Sequence, residues 1–237
     1  MEKGRLSIVA TPIGNLEDIT LRAIRVLKEA DLIACEDTRH AAILLNKYGI
    51  KTPTTSYHSY STGGKIDSII HALTAGKNVA LISDAGTPGI SDPAYTLIQA
   101  ALEHNIEITS IPGASALLAS LVASGLPMHH FHYYGFLPLK KGRQTLLTSW
   151  RTQAIEGALD GETIIFYESP HRIQRTLEDL MKHFGDTTQR WHIVLARELT
   201  KIHEEFARGS LSEITATMKS RTPKGEYVVL LSYQKSA

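Results

Sequence analysis

Three groups of side chains in this sequence could do chemistry on a bound ligand. Glu36-Asp37-Thr38-Arg39 sets two carboxylates beside a guanidinium. Such a set can move a proton or orient an anionic substrate. Lys201 stands near Glu204 and Glu205. If partly desolvated, its pKa falls and its amine can take a proton from a hydroxyl. The stretch Ser83–Pro93 gathers two Gly, two Pro, two Asp, two Ser and a Thr, more than a turn requires. Gly86 and Gly89 permit close approach of a ligand to the backbone, while Pro88 and Pro93 stiffen the loop. Each group also has a structural reading: a rigid turn, an ion pair of Glu36-Asp37 with Arg39, a solvated charge cluster around Lys201.

Other candidates are weaker. His129, His130 and His132 lack an accompanying carboxylate or cysteine set, and in a strand His129 and His130 face opposite sides, so no metal site is expected. Lys140-Lys141-Gly142-Arg143 follows Tyr133, Tyr134 and Phe136, and such a basic and aromatic group can grip phosphates and stack bases, or be a solvated turn. Thr11-Pro12-Ile13-Gly14-Asn15 follows an apolar run without the glycine spacing of a dinucleotide fold or the lysine of a phosphate loop.

These motifs need strands to carry them. Leu6–Ala10, Asp31–Cys35, Val79–Ile82 and Ile106–Ile111, and a shorter candidate at Thr54–His58, read as strands. Helical stripes alternate with them: Leu21, Ile24 and Leu27 after a Thr20 cap, then Ile43–Leu45, Ile66–Leu73, Ala94–His104 and Leu117–Ala123. This alternation predicts a parallel sheet covered on both faces. After Pro127 the pattern changes. Strands at His130–Phe136, Thr163–Tyr167, Trp191–Ala196, Glu204–Arg208 and Tyr227–Tyr233 mix hairpin and crossover connections, which predicts a mixed sheet. The fold class is therefore α/β, with two α/β domains, 1–113 and 114–237. Six polar motifs at strand ends, Pro112–Ala116, Glu168–Arg172 and Arg197–Lys201 among them, place a ligand cleft between the two.

The 237 residues carry a net charge of +1, which predicts no strong global attraction to nucleic acid or membrane. Residues 1–113 hold 10 basic against 12 acidic side chains, and residues 114–237 hold 15 against 12, so a polyanion contact is expected in the second half. Cys35 is the single cysteine, which excludes an intrachain disulfide. No apolar run has the length of a membrane span, and a cytoplasmic location is expected.

Taken together, Thr11–Leu16, Glu36–Arg39, Ser83–Pro93, Pro112-Gly113, Gly135–Pro138, Phe166–Arg172 and Arg197–Lys201 resemble, in order and over nearly the whole chain, the ribosomal small-subunit RNA methyltransferase I branch of the tetrapyrrole-methylase-like enzymes. The resemblance implies 2′-O-methylation of a cytidine ribose in the decoding region of 16S rRNA within the small ribosomal subunit. It also implies S-adenosylmethionine as cofactor, a homodimer, and no membrane partner. The family's cofactor loops fall on Pro12 and Gly14, on Asp84, Ala85, Gly86, Thr87 and Pro88, and on Ala114, Ser115 and Ala116, with Tyr167 on the matching second strand end. Asp37 or Lys201 is then expected to take the hydroxyl proton, with Arg39 orienting substrate. His58-Ser59-Tyr60 departs from the family's pattern, as do Ala94 and Ala114. Two other functions remain open: a small-molecule methyltransferase of the same fold, and a non-catalytic ribosome-binding factor.

Overall fold

The computed structural model describes residues 2–57 and 64–234, so the His58-Ser59-Tyr60 run lies outside the described residues. The chain divides into two compact units, Met1–Ser115 and Ala116–Ala237.

The first unit is a five-stranded parallel sheet. Its strands are β1 (Arg5–Val9), β2 (Leu32–Cys35), β3 (Thr54–Ser56), β4 (Val79–Leu81) and β5 (Glu107–Ile111), in the order β3-β2-β4-β1-β5. Helices α1 (Leu21–Glu29) and α2 (Thr38–Lys47) contribute Ala23, Leu27, Leu44 and Leu45 to one buried layer. Helices α3 (Gly64–Thr74) and α4 (Ala94–Glu103) contribute Ile69, Leu73, Leu97 and Ala101 to the other. Burial of β4 and most of β2 explains their continuous apolar runs. Thr20 caps α1 by accepting the Ala23 N–H at 3.0 Å, as its position predicts. Leu21 departs from the expected stripe. It opens the helix just after the cap and is 86% exposed, and Ala23 joins the expected Leu27 in the buried face instead.

The second unit begins with α5 (Ala116–Ser124) and holds a mixed sheet of β6 (His130–Phe136), β7 (Glu162–Glu168), β8 (Trp191–Arg197), β9 (Glu205–Ser210) and β10 (Tyr227–Tyr233). The order is β6-β7-β10-β8-β9, with β6 and β7 parallel and every other pairing antiparallel. Helices α6 (Arg143–Glu156), α7 (Ile173–Phe184) and α8 (Leu211–Lys219) complete the unit. Trp150, Phe166, Leu177, Phe184 and Trp191 fill its core, where the rings of Phe184 and Trp191 stack at 4.1 Å. Helix α6 runs one and a half turns past Trp150, because Leu147, Trp150 and Ala154 extend a single buried stripe.

Candidate functional site

In a parallel sheet every strand releases its following loop at the same edge. β1, β2, β4 and β5 thus deliver Thr11–Asn15, Glu36–Arg39, Ser83–Pro93 and Pro112–Ser115 to one edge of the first unit. Ser83–Pro93 is bonded to each of the other three. Thr11 donates its N–H to the Gly86 carbonyl at 2.9 Å, and Gly86 donates its N–H to the Thr11 carbonyl at 3.1 Å. The Thr11 hydroxyl donates to the Ser83 carbonyl at 3.1 Å, and the Thr87 hydroxyl to the Ala114 carbonyl at 3.2 Å. Gly86 has φ +79°, and a Cβ there would stand 3.3 Å from Ile13 Cγ2 and 3.7 Å from the Ala114 oxygen. Of the residues assigned to a cofactor, Pro12, Gly86 and Pro88 are buried, Thr87, Ala114 and Ser115 half-buried, and Gly14, Asp84 and Ala85 exposed. The buried ones shape the loop, and the exposed ones face solvent.

The rest of Ser83–Pro93 starts α4. The Asp92 carboxylate accepts the Gly89 N–H at 2.8 Å and the Ala94 N–H at 2.9 Å. It therefore fixes the loop's second half while satisfying a donor of the first helical turn.

The acidic group at the end of β2 is bonded to the end of β4. Asp84 donates its N–H to Glu36 Oε1 at 3.1 Å, and Asp84 Oδ1 accepts the Asp37 N–H at 3.2 Å. Asp37 caps α2 by accepting the Arg39 N–H at 2.8 Å, and its two oxygens clasp the Arg39 guanidinium at 3.1 and 2.7 Å. That guanidinium holds the Asp37 carboxyl well below the usual carboxylate range. Arg39 itself remains 89% exposed.

In the second unit β6, β7 and β8 end at one edge, where β10 begins: Tyr227 pairs with both Glu168 and Arg197. Tyr167 packs edge-on against Tyr133 at 5.3 Å and Phe136 at 5.7 Å. Its hydroxyl interacts with Tyr133 and with the backbone of Leu117 in the first turn of α5. Burial, then Tyr133, raises the Tyr167 pKa above the ordinary phenol value.

Lys201 sits on a strained turn after β8, where Glu198 and Thr200 have φ +51° and +65°. Its Nζ lies 2.9 Å from Glu198 Oε1 and 2.8 Å from Glu226 Oε2. These are not the neighbours its sequence position suggested. Glu204 accepts the Thr200 N–H instead, and Glu205 pairs with Arg197 and Arg221. Partial burial pulls the Lys201 pKa down, but the Glu226 and Glu198 carboxylates outweigh it and the net shift is upward. Lys201 is thus held as an ammonium.

Two further assignments change. Arg143, grouped by sequence with Lys140 and Lys141, is 8% exposed and bonded to Asp179 at 2.9 Å, which removes it from any phosphate-binding turn. Glu168 is fully buried: it pairs with Arg172, four residues on, at 3.1 Å and accepts the Thr176 hydroxyl at 2.6 Å.

Residues 5–215 match the family model of Tetrapyrrole (Corrin/Porphyrin) Methylases. The chain belongs to this family and is a methyltransferase with its two-unit α/β fold. Within the family, the chain is 48% identical over 230 residues to the ribosomal RNA small subunit methyltransferase I of Synechocystis sp., covering 97% of this chain and 79% of that one. It is 44% identical to the protein of the same name from Thermotoga maritima, covering 97% and 98%. Solved structures that share the fold include the following two. A diphthine synthase superposes with a TM-score of 0.74 at 14% identity, covering 99% of this chain and 92% of that one. Uroporphyrin-III C-methyl transferase from Thermus thermophilus, in complex with S-adenyl homocysteine, superposes with a TM-score of 0.64 at 21% identity, covering 97% of each chain.

Proposed function

We propose that this chain transfers the methyl group of S-adenosylmethionine to the 2′-hydroxyl of a cytidine in the decoding region of 16S rRNA, within the small ribosomal subunit. The observation that carries the reading is the identity of 44% and 48%, across 97% of the chain, to proteins named ribosomal RNA small subunit methyltransferase I.

The first unit's loop edge suits a nucleoside-bearing cofactor. Asp84 offers an exposed carboxylate that can accept ribose hydroxyls, and Gly14, Ala85 and Ala114 are small enough for close approach. Gly86 fits its loops together where a Cβ would press on Ile13. We assign Pro12, Gly14, Asp84–Pro88 and Ala114–Ala116 to this group, with Tyr167 as a neutral phenol. When bound, S-adenosylmethionine supplies an electrophilic methyl group on a sulfonium.

Displacement at that carbon asks the protein mainly for alignment. Arg39, exposed yet aimed by the Asp37 clasp, is assigned to a substrate phosphate. Asp37, its pKa depressed by Arg39, is a poor proton acceptor, and its role is to orient Arg39. Lys201, kept protonated by Glu198 and Glu226, is assigned to stabilise negative charge developing on the attacking oxygen.

The apolar residues Leu118 and Val122, one turn apart on α5 and 51% and 67% exposed, support a homodimer, checked by sedimentation. No helix among the described residues is long and apolar enough to cross a membrane. The test of function is transfer of labelled methyl to small subunits from a strain lacking this protein. Label in one alkali-resistant cytidine dinucleotide is expected. Label on a base, or on a tetrapyrrole and not on RNA, overturns the reading.

A further inference from the structure

The loop between β6 and α6 has a buried root and an exposed rim. Leu137, 2% exposed, anchors it in the core of the second unit. The next carbonyls are held by two arginines: Arg172 Nη2 donates to the Leu137 oxygen at 2.9 Å and Arg143 Nη1 to the Pro138 oxygen at 3.4 Å. Both arginines are fixed from behind. Arg172 pairs with buried Glu168, and Arg143 bonds to Asp179 and, at 2.9 Å, to the Thr176 hydroxyl that also reaches Glu168. Burying such charges is expensive, and what the arrangement fixes is the path of residues 137–138.

The rim shows what this support presents. Phe136 and Leu139 are 54% and 71% exposed, Lys140 and Lys141 are exposed, and neither lysine is in an ion pair among the described residues. Phe136 also touches Tyr167, so the rim is continuous with a strand end assigned to the cofactor.

We propose that Phe136, Leu139, Lys140 and Lys141 form the contact surface for a single-stranded segment of the RNA substrate. Phe136 stacks on a base, and the two lysines hold flanking phosphates. The clamped backbone spares the ordering entropy that a free loop would lose on binding. This surface rests on the proposed rRNA methylation and extends it to how the substrate is held.

The experiment measures methyl transfer to small subunits and to protein-free 16S rRNA at several KCl concentrations. It compares wild type, Lys140→Gln/Lys141→Gln, Phe136→Ala and Phe136→Tyr, with S-adenosylmethionine affinity measured by calorimetry in each. The lysine variant should raise KM about tenfold with kcat unchanged, and should flatten the dependence of log affinity on log salt by about 1.4, at about 0.7 per phosphate in a single strand. Phe136→Ala should weaken RNA binding at least tenfold and Phe136→Tyr should restore it, as stacking predicts. Wild-type transfer with unchanged KM and salt slope in the variants overturns the surface alone. Absence of wild-type transfer overturns the proposed function and the surface with it. Variants that fail only on assembled subunits place a ribosomal protein here and also overturn it.

Discussion

Asp84 accepts the backbone N–H of Asp37 at 3.2 Å, joining the carboxyl ends of two neighbouring parallel strands. The bond separates two roles of one side chain. Asp84→Asn keeps an acceptor oxygen for Asp37 but loses the charge, whereas Asp84→Ala loses both. The asparagine variant should melt within about 0.5 kcal/mol of wild type. It should bind S-adenosylmethionine at least tenfold more weakly, since hydrogen bonds to a charged group contribute about 1.5–3 kcal/mol. The alanine variant should also lose about 1 kcal/mol of stability. Calorimetry and melting curves decide, and unchanged affinity in both variants removes Asp84 from the cofactor site.

Lys201 and Glu198 give the site a defined pH window. The folded pKa of Lys201 is raised, so its contribution is complete below its unfolded value of about 10.4 and is lost as pH climbs through the folded value. The folded pKa of Glu198 is lowered: burial acts against this, but Lys201 and the Glu226 N–H prevail. Its contribution is present above about pH 4.3 and is lost as pH falls through the folded value. Lys201→Met should therefore cost about 1 kcal/mol at neutral pH and converge with wild type at both extremes. Methyl transfer should show no lysine titration between about pH 7 and pH 9. A rate rise in that range that Lys201→Met abolishes would restore Lys201 as a base.

Gly225 leaves room for the Glu198 side chain. A Cβ at Gly225, where φ is +79°, would stand 2.4 Å from Glu198 Cγ and 2.5 Å from Cδ. Gly225→Ala should displace Glu198 and cost about 2 kcal/mol or more, with kcat falling as Lys201 loses a partner. Gly89 has φ +93° but nothing within 4 Å of a Cβ, so Gly89→Ala should cost about 1 kcal/mol from backbone strain alone. Equal destabilisation by the two would discount the Glu198 contact.

Cys35 should be inert in the folded protein. Burial, then the charges of Asp84, Asp37 and Glu36, push its thiol up to about 11, and it is 1% exposed. Thiol reagents at about pH 8 should label it only after denaturation. Rapid labelling of the native chain would show that the end of β2 opens.

Local patterns were legible, and partnerships across strands were not. The Thr20 cap and the buried run Val79–Leu81 follow from residue type and period alone. Sequence proximity pointed Lys201 toward Glu204 and Glu205. The antiparallel register that sets Tyr227 opposite Arg197 instead brings Glu226 to it from 25 residues away. Arg143 looked like a third surface cation beside two lysines. Asp179, on another helix 36 residues on, draws it inside. Glu198 lies only three residues from Lys201, but Glu226 and Asp179 are brought in by sheet register and helix packing, which no short window of sequence contains.

The place of β1 in the first sheet also bears on how the chain is made. Residues 5–9 leave the ribosome well before either neighbour, β4 at 79–81 or β5 at 107–111. An apolar strand destined for the middle of a sheet must wait through most of that unit's translation with both hydrogen-bonding edges unfilled. Long-range parallel pairing of this kind folds slowly and exposes aggregation-prone edges meanwhile. Nascent-chain chaperones should therefore engage this segment until residue 111 has emerged.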